Sequence, residues 1–289
     1  MTVPRGSAGS TASSANSTPP VFLLDDADAL NSGFLSGSRT TALSGVGVGD
    51  SFDLTGSEGK HALVQRLQRS ETVNLVDGAG LRLTASVVEP IPGGLRLQVT
   101  AVAQEPQPSV AITLVQALAK ADRDELAIST AVEVGVDAIV PWQADRSIVI
   151  WRADKAAKAK SRWVDAVRSA AKQARRAYLP LVADVVNSKQ LSALIHHTIE
   201  QGGKAWVLDA AGTVTAANAG LPNVTQNLGL LIVVGPEGGI SPAELEAFQA
   251  AGAELVRLGP HIMRTSTAGP IAVSRAAERL GRWELNQAP

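Results

Sequence analysis

The 289-residue chain is 45% hydrophobic and 18% charged, with a formal net charge of −1 and no cysteine. This composition is typical of a soluble globular protein, and the missing thiols exclude disulfides, thiolate metal sites and cysteine nucleophiles. No apolar run reaches the roughly 18 residues of a membrane span, and the N-terminus lacks the hydrophobic centre of a signal peptide. We therefore expect a cytoplasmic protein with no membrane contact. The four histidines have no zinc spacing, so we expect no metal.

The beginning of the chain predicts a disordered leader over residues 1–20. Residues 5–18 contain no large apolar side chain that could join a core. A segment of this composition cannot bury enough apolar surface to offset the conformational entropy that is lost on folding.

Residues 21–105 predict a small β-rich domain with one short helix. The β-type runs are separated by turn residues, and they lie at Val73–Val76, Leu81–Val88 and Leu95–Val102. The helix is expected to follow a cap at Thr55 or Ser57 and to run through Leu67. Two prolines in Gln104–Ser109 then indicate a linker.

After the linker, the pattern changes to alternating strands and helices, which predicts an α/β domain over residues 109–289 with a mostly parallel sheet. Helices are expected over Asp122–Val134, Ala153–Tyr178 and Thr267–Leu280. Strands are expected at Val110–Leu118, Ala138–Trp142, Ala205–Leu208, Leu230–Val234 and Glu254–Leu258.

The strand Leu230–Val234 leads into an unusual loop, Gly235-Pro236-Glu237-Gly238-Gly239. Its five consecutive apolar residues favour a central strand that is covered on both faces. Ser241-Pro242-Ala243-Glu244 then forms a capping box with proline at the first helical position. Glycine lets a ligand approach the main chain, and open α/β sheets bind ligands at the carboxyl ends of such strands. A tight turn without a ligand is the alternative.

A second loop, Leu258–Ala268, also joins a strand to a helix and predicts the other wall of one pocket. Ile262 and Met263 would line this pocket, and Arg264 is its strong cation. The glycine-rich loop lacks the lysine of a phosphate loop and carries Glu237 instead, so it suits a ligand that is positively charged or is recognised by backbone hydrogen bonds. For Arg264, a structural salt bridge, for example to Glu237, is the alternative.

Basic residues are concentrated between Gln143 and Pro180, where ten arginines and lysines stand against three aspartates. Helical spacing predicts that one face packs on the core and carries Trp163, Val167, Ala170 and Ala174. A second face would form a basic strip of Arg168, Lys172, Arg175 and Arg176. Such a strip favours a polyanion partner, and a solvated helix surface is the alternative.

Two loop motifs follow one another along the chain: Val234-Gly235-Pro236-Glu237-Gly238-Gly239-Ile240-Ser241, and Leu258-Gly259-Pro260 with Ile262-Met263-Arg264-Thr265 before Thr267-Ala268. Shorter matches accompany them at Gln116-Ala117-Leu118, Asp145-Arg146-Ser147, His61, Arg66 and Asp77-Gly78. In this order and spacing, they resemble the RsmE family of ribosomal RNA methyltransferases in the SPOUT superfamily.

The resemblance implies that the chain uses S-adenosylmethionine to methylate N3 of a specific uridine in 16S rRNA of the small ribosomal subunit. It implies an α/β fold with a SPOUT-type, trefoil-knotted methyltransferase domain over 109–289 and a PUA-like RNA-binding β-barrel over 21–105. Three loops, after Leu208, Val234 and Leu258, would enclose the methyl donor. A homodimer is implied as well, with each pocket completed near the partner subunit.

The two loops, the basic strip and the resemblance together give candidate site residues in three groups. The donor-binding group is Leu208, Gly235, Pro236, Glu237, Gly238, Gly239, Leu258, Ile262, Met263, Thr267 and Ala268. The RNA-binding group is His61, Arg66, Arg146, Arg168, Lys172, Gln173, Arg175 and Arg176. Arg264 is the candidate catalytic residue, because a cation beside the uracil oxygens would stabilise the anion that forms when N3 loses its proton.

Two positions depart from the family pattern. Ser266 stands where similar enzymes usually have glutamate, and Lys172-Gln173 where they often have Glu-Gln. The first departure keeps a non-catalytic ribosome-assembly factor open as an alternative function. A SPOUT methyltransferase that acts on another RNA is the second alternative.

Overall fold

The computed structural model of the protein describes residues 18–24, 43–120, 123–226 and 228–284. Almost all of the predicted leader, residues 1–17, therefore lies outside the described residues. The described strands form two sheets, one before and one after the predicted linker.

The N-terminal sheet has five strands in the order β1-β3-β4-β5-β2. The strands are β1 (Val21–Leu23), β2 (Ser51–Leu54), β3 (Thr72–Val76), β4 (Leu81–Ile91) and β5 (Gly94–Gln104). Two register irregularities interrupt the antiparallel β4–β5 pair, between Thr84 and Ala85 and between Val87 and Glu89, and such bulges increase the local bend and twist of a sheet. The N-terminal part has its own apolar core, which includes Phe22 and Leu83.

The predicted short helix is present as α1 (Gly56–Val64). Its N-cap residue is Thr55, which is one of the two predicted cap residues, but the Thr55 side chain makes no capping hydrogen bond. The predicted end at Leu67 is wrong, because Gln65 already caps the helix and Arg66 has a left-handed φ of 55° that no helical residue adopts.

The C-terminal sheet has eight strands, and all of their pairings are parallel. The strands are β6 (Val110–Ala117), β7 (Ala138–Gln143), β8 (Leu181–Val182), β9 (Val186–Asn187), β10 (Lys204–Leu208), β11 (Val214–Thr215), β12 (Leu228–Val234) and β13 (Glu254–Arg257). Their order is β11-β13-β10-β12-β6-β7-β8, with β9 also paired to β7. The predicted central strand is confirmed, since β12 lies between β10 and β6 and Ile232 and Val233 on its two faces are fully buried.

Helices cover both faces of this sheet. They are α2 (Arg123–Glu133), α3 (Ala153–Gln173), α4 (Ser188–Glu200), α5 (Pro242–Ala250) and α6 (Thr265–Arg279). One core cluster joins α2, α3 and α6 to one face of the sheet, and a second joins α4 and α5 to the other. The sequence interpretation missed α4, although Asn187 and Gln190 form a capping box at its start.

Helix α3 ends five residues before the predicted Tyr178. Arg175 adopts a left-handed φ of 58°, and the chain then crosses to the N-terminal sheet, where Tyr178 bridges to Gly78 and Ala79. Ala174, which was expected in the core, is a half-buried cap, and Ala171 is buried instead.

Direct hydrogen bonds connect the two parts of the protein. The hydroxyl of Tyr178 donates to the carbonyl of Glu105 at 2.8 Å, and Arg82 donates to the carbonyl of Arg175 at 2.8 Å. Arg82 also pairs with the Glu105 carboxylate at 2.6 Å. Within the described ranges, the helices are either too short or too polar to cross a bilayer.

Candidate functional site

The glycine-rich loop, Gly235–Gly239, follows the carboxyl end of β12 and leads into α5. Gly239 has a φ of +73°, which side chains rarely adopt. A Cβ at Gly235 would lie 2.7 Å from Cγ1 of Ile240, and one at Gly238 would lie 3.3 Å from the carbonyl oxygen of Arg146. The loop therefore has its tight shape because these three positions carry no side chain.

The predicted capping box after this loop is confirmed. Ser241 Oγ accepts from the Glu244 amide at 3.2 Å, and the Glu244 carboxylate accepts from the Ser241 amide at 2.8 Å. The buried carboxylate also accepts from the Asp145 amide and from the Ser188 hydroxyl. Burial alone would raise the pKa of Glu244, but these hydrogen bonds outweigh it and hold the pKa below its ordinary value. Glu244 thus ties the start of α5 to the loop after β7 and to the start of α4.

Thr265, at the start of α6, joins the glycine-rich loop to the neighbouring strand β6. Its hydroxyl donates to the carbonyl of Gly235 at 2.9 Å and accepts from Nε2 of the buried Gln116 at 2.8 Å. Because Thr265 is itself buried, these bonds fix the position of the loop relative to α6. The two predicted loops therefore meet at the first turn of α6.

Glu237 forms an ion pair with Arg123, the first residue of α2, at 2.9 Å. The Lys120 amide also donates to the same carboxylate oxygen at 3.4 Å. Partial burial would raise the pKa of Glu237, but the backbone hydrogen bonds and Arg123 lower it further than burial raises it, so the carboxylate is ionised at neutral pH. The alternative salt bridge from Glu237 to Arg264 is wrong, because the partner of Glu237 is Arg123.

Arg146, which was expected to contact RNA, also contacts the glycine-rich loop. Its Nη1 donates to the carbonyl of Gly238 at 3.2 Å. Within the protein, Arg146 therefore binds this loop, and its contact with RNA stays a prediction.

A cavity of about 190 Å³ opens at the carboxyl ends of β10 and β13. It is lined by five of the predicted donor-binding residues: Leu208, Leu258, Ile262, Met263 and Ala268. Gly259, Pro260 and His261 also line it and belong to the predicted loop Leu258–Ala268, although they were not named as donor-binding residues. The sequence interpretation missed Asp209, Ala210, Val256 and Arg257, which complete the lining. For Asp209 a signal was present, because it is the first polar residue after a buried strand, next to Leu208.

The remaining predicted donor-binding residues are outside the lining of this cavity. In the described part of the chain, its lining does not include Gly235–Gly239 or Thr267. The glycine-rich loop is connected to the cavity through α6, since Thr265 binds Gly235 and Ala268 lines the cavity. Arg264 is exposed immediately before α6, adjacent in sequence to the cavity residue Met263.

Two residues of the basic strip, Lys172 and Arg176, form ion pairs with acidic residues from distant segments. Lys172 pairs with Glu58 of α1 at 2.6 Å and lies 3.4 Å from Nδ1 of His61. The predicted placement of Arg176 on an exposed strip is wrong. Its side chain is only 16% exposed, pairs with Asp137 at 3.3 Å and donates to the carbonyls of Val132 and Val136.

The other predicted RNA-binding residues are at least partly accessible. Arg66 and Gln173 are exposed, and Arg168 and Arg175 are half-buried. His61, Arg168, Lys172, Gln173 and Arg175 line one cleft between α1 and the C-terminal end of α3, which we call the α1–α3 cleft. The structure thus brings five of the eight together.

Comparison with known proteins places these features in a family. Residues 105–277 match the model of a family described as an RNA methyltransferase domain. The ribosomal RNA small subunit methyltransferase E of Mycobacterium bovis is 41% identical over 238 residues, which are 80% of this chain and 87% of that protein. The Bacillus subtilis protein of the same name is 34% identical over 161 residues, which are 54% of this chain and 60% of that protein.

A solved structure shares the two-part architecture. The ribosomal RNA small subunit methyltransferase E of Neisseria gonorrhoeae, determined with bound S-adenosyl methionine, superposes with a TM-score of 0.73 at 25% identity. The match covers 91% of this chain and 98% of that chain. The expected fold, a PUA-like N-terminal barrel followed by a SPOUT-type α/β domain, is confirmed.

Proposed function

The chain belongs to the RNA methyltransferase family, together with the ribosomal RNA small subunit methyltransferases E, and from this we propose that it methylates N3 of a specific uridine in 16S rRNA with S-adenosylmethionine as donor. One observation carries the proposal: the chain is 41% identical to such an enzyme over 80% of its length. The cavity at the ends of β10 and β13 supports it, since open α/β sheets bind ligands at that edge.

The residues around the cavity suit S-adenosylmethionine. Leu208, Leu258 and Met263 offer apolar contacts to a flat ring, and the Asp209 carboxylate can accept hydrogen bonds from hydroxyl or ammonium groups. A Cβ built at Gly259 would have no atom within 4 Å, which leaves the main chain open to a ligand at that point. When bound, S-adenosylmethionine supplies a methyl group on a positively charged sulfur.

The glycine-rich loop is the proposed second wall of the donor site. Gly235, Pro236, Gly238 and Gly239 would present the main chain, and the ionised carboxylate of Glu237 would favour a positively charged ligand. Thr265 supports this placement, because its hydroxyl holds the loop against the helix that also carries Ala268 and Thr267.

Arg264 is the proposed catalytic residue. N3 of neutral uracil carries a proton, and the loss of this proton leaves negative charge on the ring oxygens, which a guanidinium can stabilise. The side chain is exposed next to the cavity, and in the described part of the chain it has no ion pair or hydrogen bond that would hold it elsewhere. It is therefore available to a base that enters from solvent.

We also propose that the C-terminal domain is knotted and that two copies form a homodimer. The loops after β10, β12 and β13 leave three neighbouring strands at one edge of the sheet, as the three loops of such a knot would. Ile262 lines the cavity and yet is 92% exposed. An apolar side chain in this position suits coverage by a partner subunit.

The proposed partner is 16S rRNA, free or within the small ribosomal subunit, and the proposed location is the cytoplasm, where ribosomes are modified. The N-terminal sheet (residues 21–105) would contact RNA outside the target base. The base itself must leave its stack to reach the site, as for other enzymes that modify bases.

Mass mapping of 16S rRNA tests the proposed function. RNA from a strain without this gene should lack one methyl group on a uridine, and purified protein with S-adenosylmethionine should restore it. Failure of both results would contradict the methyltransferase assignment. Modification of a different RNA would instead identify another substrate, and calorimetry that detects no donor binding would favour an assembly factor.

A further inference from the structure

The α1–α3 cleft has a volume of about 660 Å³ and lies between α1 of the N-terminal part and the C-terminal ends of α2 and α3. Both α2 and α3 follow strands whose carboxyl ends form the donor-site edge of the sheet, so their own C-terminal ends lie toward the opposite edge. The cleft is therefore separate from the cavity at Leu258. A ligand in this cleft would be held at a distance from the methyl donor.

The charges that line the cleft are balanced rather than uniformly positive. Arg168, Lys172 and Arg175 face Glu58, Glu133 and Asp165. Two of these cations have partners within the protein, since Lys172 pairs with Glu58 and Arg168 has an interaction of its own. The contribution of each cation to ligand binding must therefore be judged by its contacts rather than by a count of charges.

Arg175 occupies a position that normally requires glycine. The Arg175 amide donates to the carbonyl of Lys172 and the Arg176 amide donates to the carbonyl of Ala171, which together form the Schellman motif that ends α3. The residue at this point must adopt the left-handed backbone conformation, and Arg175 does so with a φ of 58°. A side chain here carries a conformational penalty that glycine does not have.

The other helices of the C-terminal domain show the ordinary solution. The left-handed residue after α2, α4, α5 and α6 is a glycine in each case: Gly135, Gly202, Gly252 and Gly281. The left-handed residue after α1 is also an arginine, Arg66, which is exposed and outside the lining of the cleft. A non-glycine residue kept in a strained conformation points to a role for its side chain.

The guanidinium of Arg175 is incompletely satisfied. Its Nη1 is buried and has no hydrogen-bond partner among the described residues, whereas its carbonyl accepts from Arg82 at 2.8 Å. A buried charged donor without an acceptor is unfavourable. After a small rotation of the Arg175 side chain, this guanidinium could donate a hydrogen bond to an anionic ligand. No existing hydrogen bond of Nη1 would be broken.

We propose that the α1–α3 cleft is a binding site for the RNA backbone and that Arg175 holds one phosphate there. Arginine matches the geometry of phosphate oxygens better than lysine does. Polar side chains such as Gln173 and His61 border the same cleft and can contact the neighbouring sugar. The site anchors the RNA away from the target uridine, so it acts on affinity and not on the methyl-transfer step. The proposal rests on the proposed function, because it takes RNA as the ligand.

Binding measurements on Arg175→Gly and Arg175→Asn test the site. Glycine removes the strain and asparagine tolerates the left-handed conformation, so the Tm of both variants should equal or exceed that of the wild type. The probe is small ribosomal subunits from a strain that lacks this gene. The Kd for this probe should rise about tenfold to a hundredfold, as expected for the loss of a charge-assisted hydrogen bond. The slope of log Kd against log salt should fall by roughly one.

Arg162→Gln is the matched control, because Arg162 is an exposed residue of the same helix and lies outside the cleft lining. It removes the same charge and should change the Kd less than twofold. An unchanged Kd in the Arg175 variants, or an equal loss in Arg162→Gln, would overturn the phosphate site. A lower Tm in both Arg175 variants would assign the residue to the scaffold instead. Methylation of the same subunits by wild-type protein tests the proposed function separately, so the two can fail independently.

Discussion

The carboxylate of Glu237 lies 2.9 Å from Nη1 of Arg123, and this ion pair connects the glycine-rich loop to the first turn of α2. The pair holds the loop at Glu237, and Arg146 donates to the carbonyl of the next residue, Gly238. Both contacts restrict the loop before any ligand arrives, and a preorganised loop loses less conformational entropy on binding.

Arg123→Gln should therefore weaken donor binding without unfolding the protein. The pair is partly exposed, and exposed ion pairs contribute up to about 1 kcal/mol, so we expect a two- to fivefold higher Kd for S-adenosylmethionine by calorimetry. Arg275→Gln is the control, because it removes an exposed ion pair with Glu278 within α6. An equal Kd for wild type and Arg123→Gln would show that the pair does not position the loop.

Gly238→Val should abolish measurable donor binding while the protein stays folded. A Cβ at Gly238 would lie 3.2 Å from Cβ of Arg146, and the two additional methyl groups of valine would force the loop away from its position. Such overpacking lowers the free energy of unfolding by about 1–3 kcal/mol, which denaturant unfolding can measure. Gly229→Ala in β12 is the comparison, because its Cβ would meet only Thr198 Cγ2, at 3.9 Å. Donor affinity that survives in Gly238→Val would remove the glycine-rich loop from the donor site.

Arg264→Ala should reduce the single-turnover methylation rate by about two to three orders of magnitude, which is the effect of removing one charge-stabilising donor. Donor affinity should change much less, because the side chain acts on the base in the transition state. Arg264→Lys should restore little activity, since a point charge cannot reproduce the planar fork of a guanidinium. A large loss of donor affinity or of Tm in Arg264→Ala would instead make Arg264 a structural residue.

Glu244→Gln should destabilise the protein at neutral pH and much less at acid pH. The folded protein holds the pKa of Glu244 below its ordinary value of 4.5, so the folded state binds fewer protons there than the unfolded state. The stabilisation is therefore complete above pH 4.5 and is lost as the pH falls through the folded pKa. At pH 7 the variant should lose about 1–3 kcal/mol, because buried donors lose their charged acceptor.

Urea unfolding of both proteins at pH 7, 5 and 3.5 measures this dependence. The difference in unfolding free energy between wild type and Glu244→Gln should be similar at pH 7 and 5 and smaller at pH 3.5. Glu246→Gln is the control, because Glu246 is exposed on the same helix. A difference that stays constant down to pH 3.5 would show that the charge of Glu244 does not stabilise the fold.

Several features could be predicted from the sequence because their causes are local. The apolar run of β12 and the capping box of Ser241 and Glu244 depend on residues a few positions apart, and both are confirmed. The change of periodicity after the predicted linker divided the chain into two parts, and the paired loop motifs identified the family and, through it, the PUA-like and SPOUT-type folds of those parts. Helix α4 shows the limit of this approach, since its capping box was present in the sequence and was not used.

The basic strip shows what a count along the chain cannot reveal. Arg176 and Lys172 follow the same helical face as Arg168, but Asp137 and Glu58 bind them from other elements, 39 and 114 residues away. A count of charges along one helix cannot include acidic partners that only the folded structure brings into contact with that helix. The early end of α3 at a left-handed arginine was missed for a related reason, because contacts with the N-terminal sheet hold that turn.

The sequence by itself determined the family, the order of strands and helices around the site, and the two loops at the carboxyl ends of the strands. Only the tertiary structure decided that Arg123 is the partner of Glu237, that Thr265 joins the two loops, and that Arg175 faces a cleft between the two parts of the protein. The physical reason is the range of the interactions: apolar periodicity and helix caps are written into neighbouring residues, whereas ion pairs and buried hydrogen bonds depend on which distant segments the packed core brings into contact.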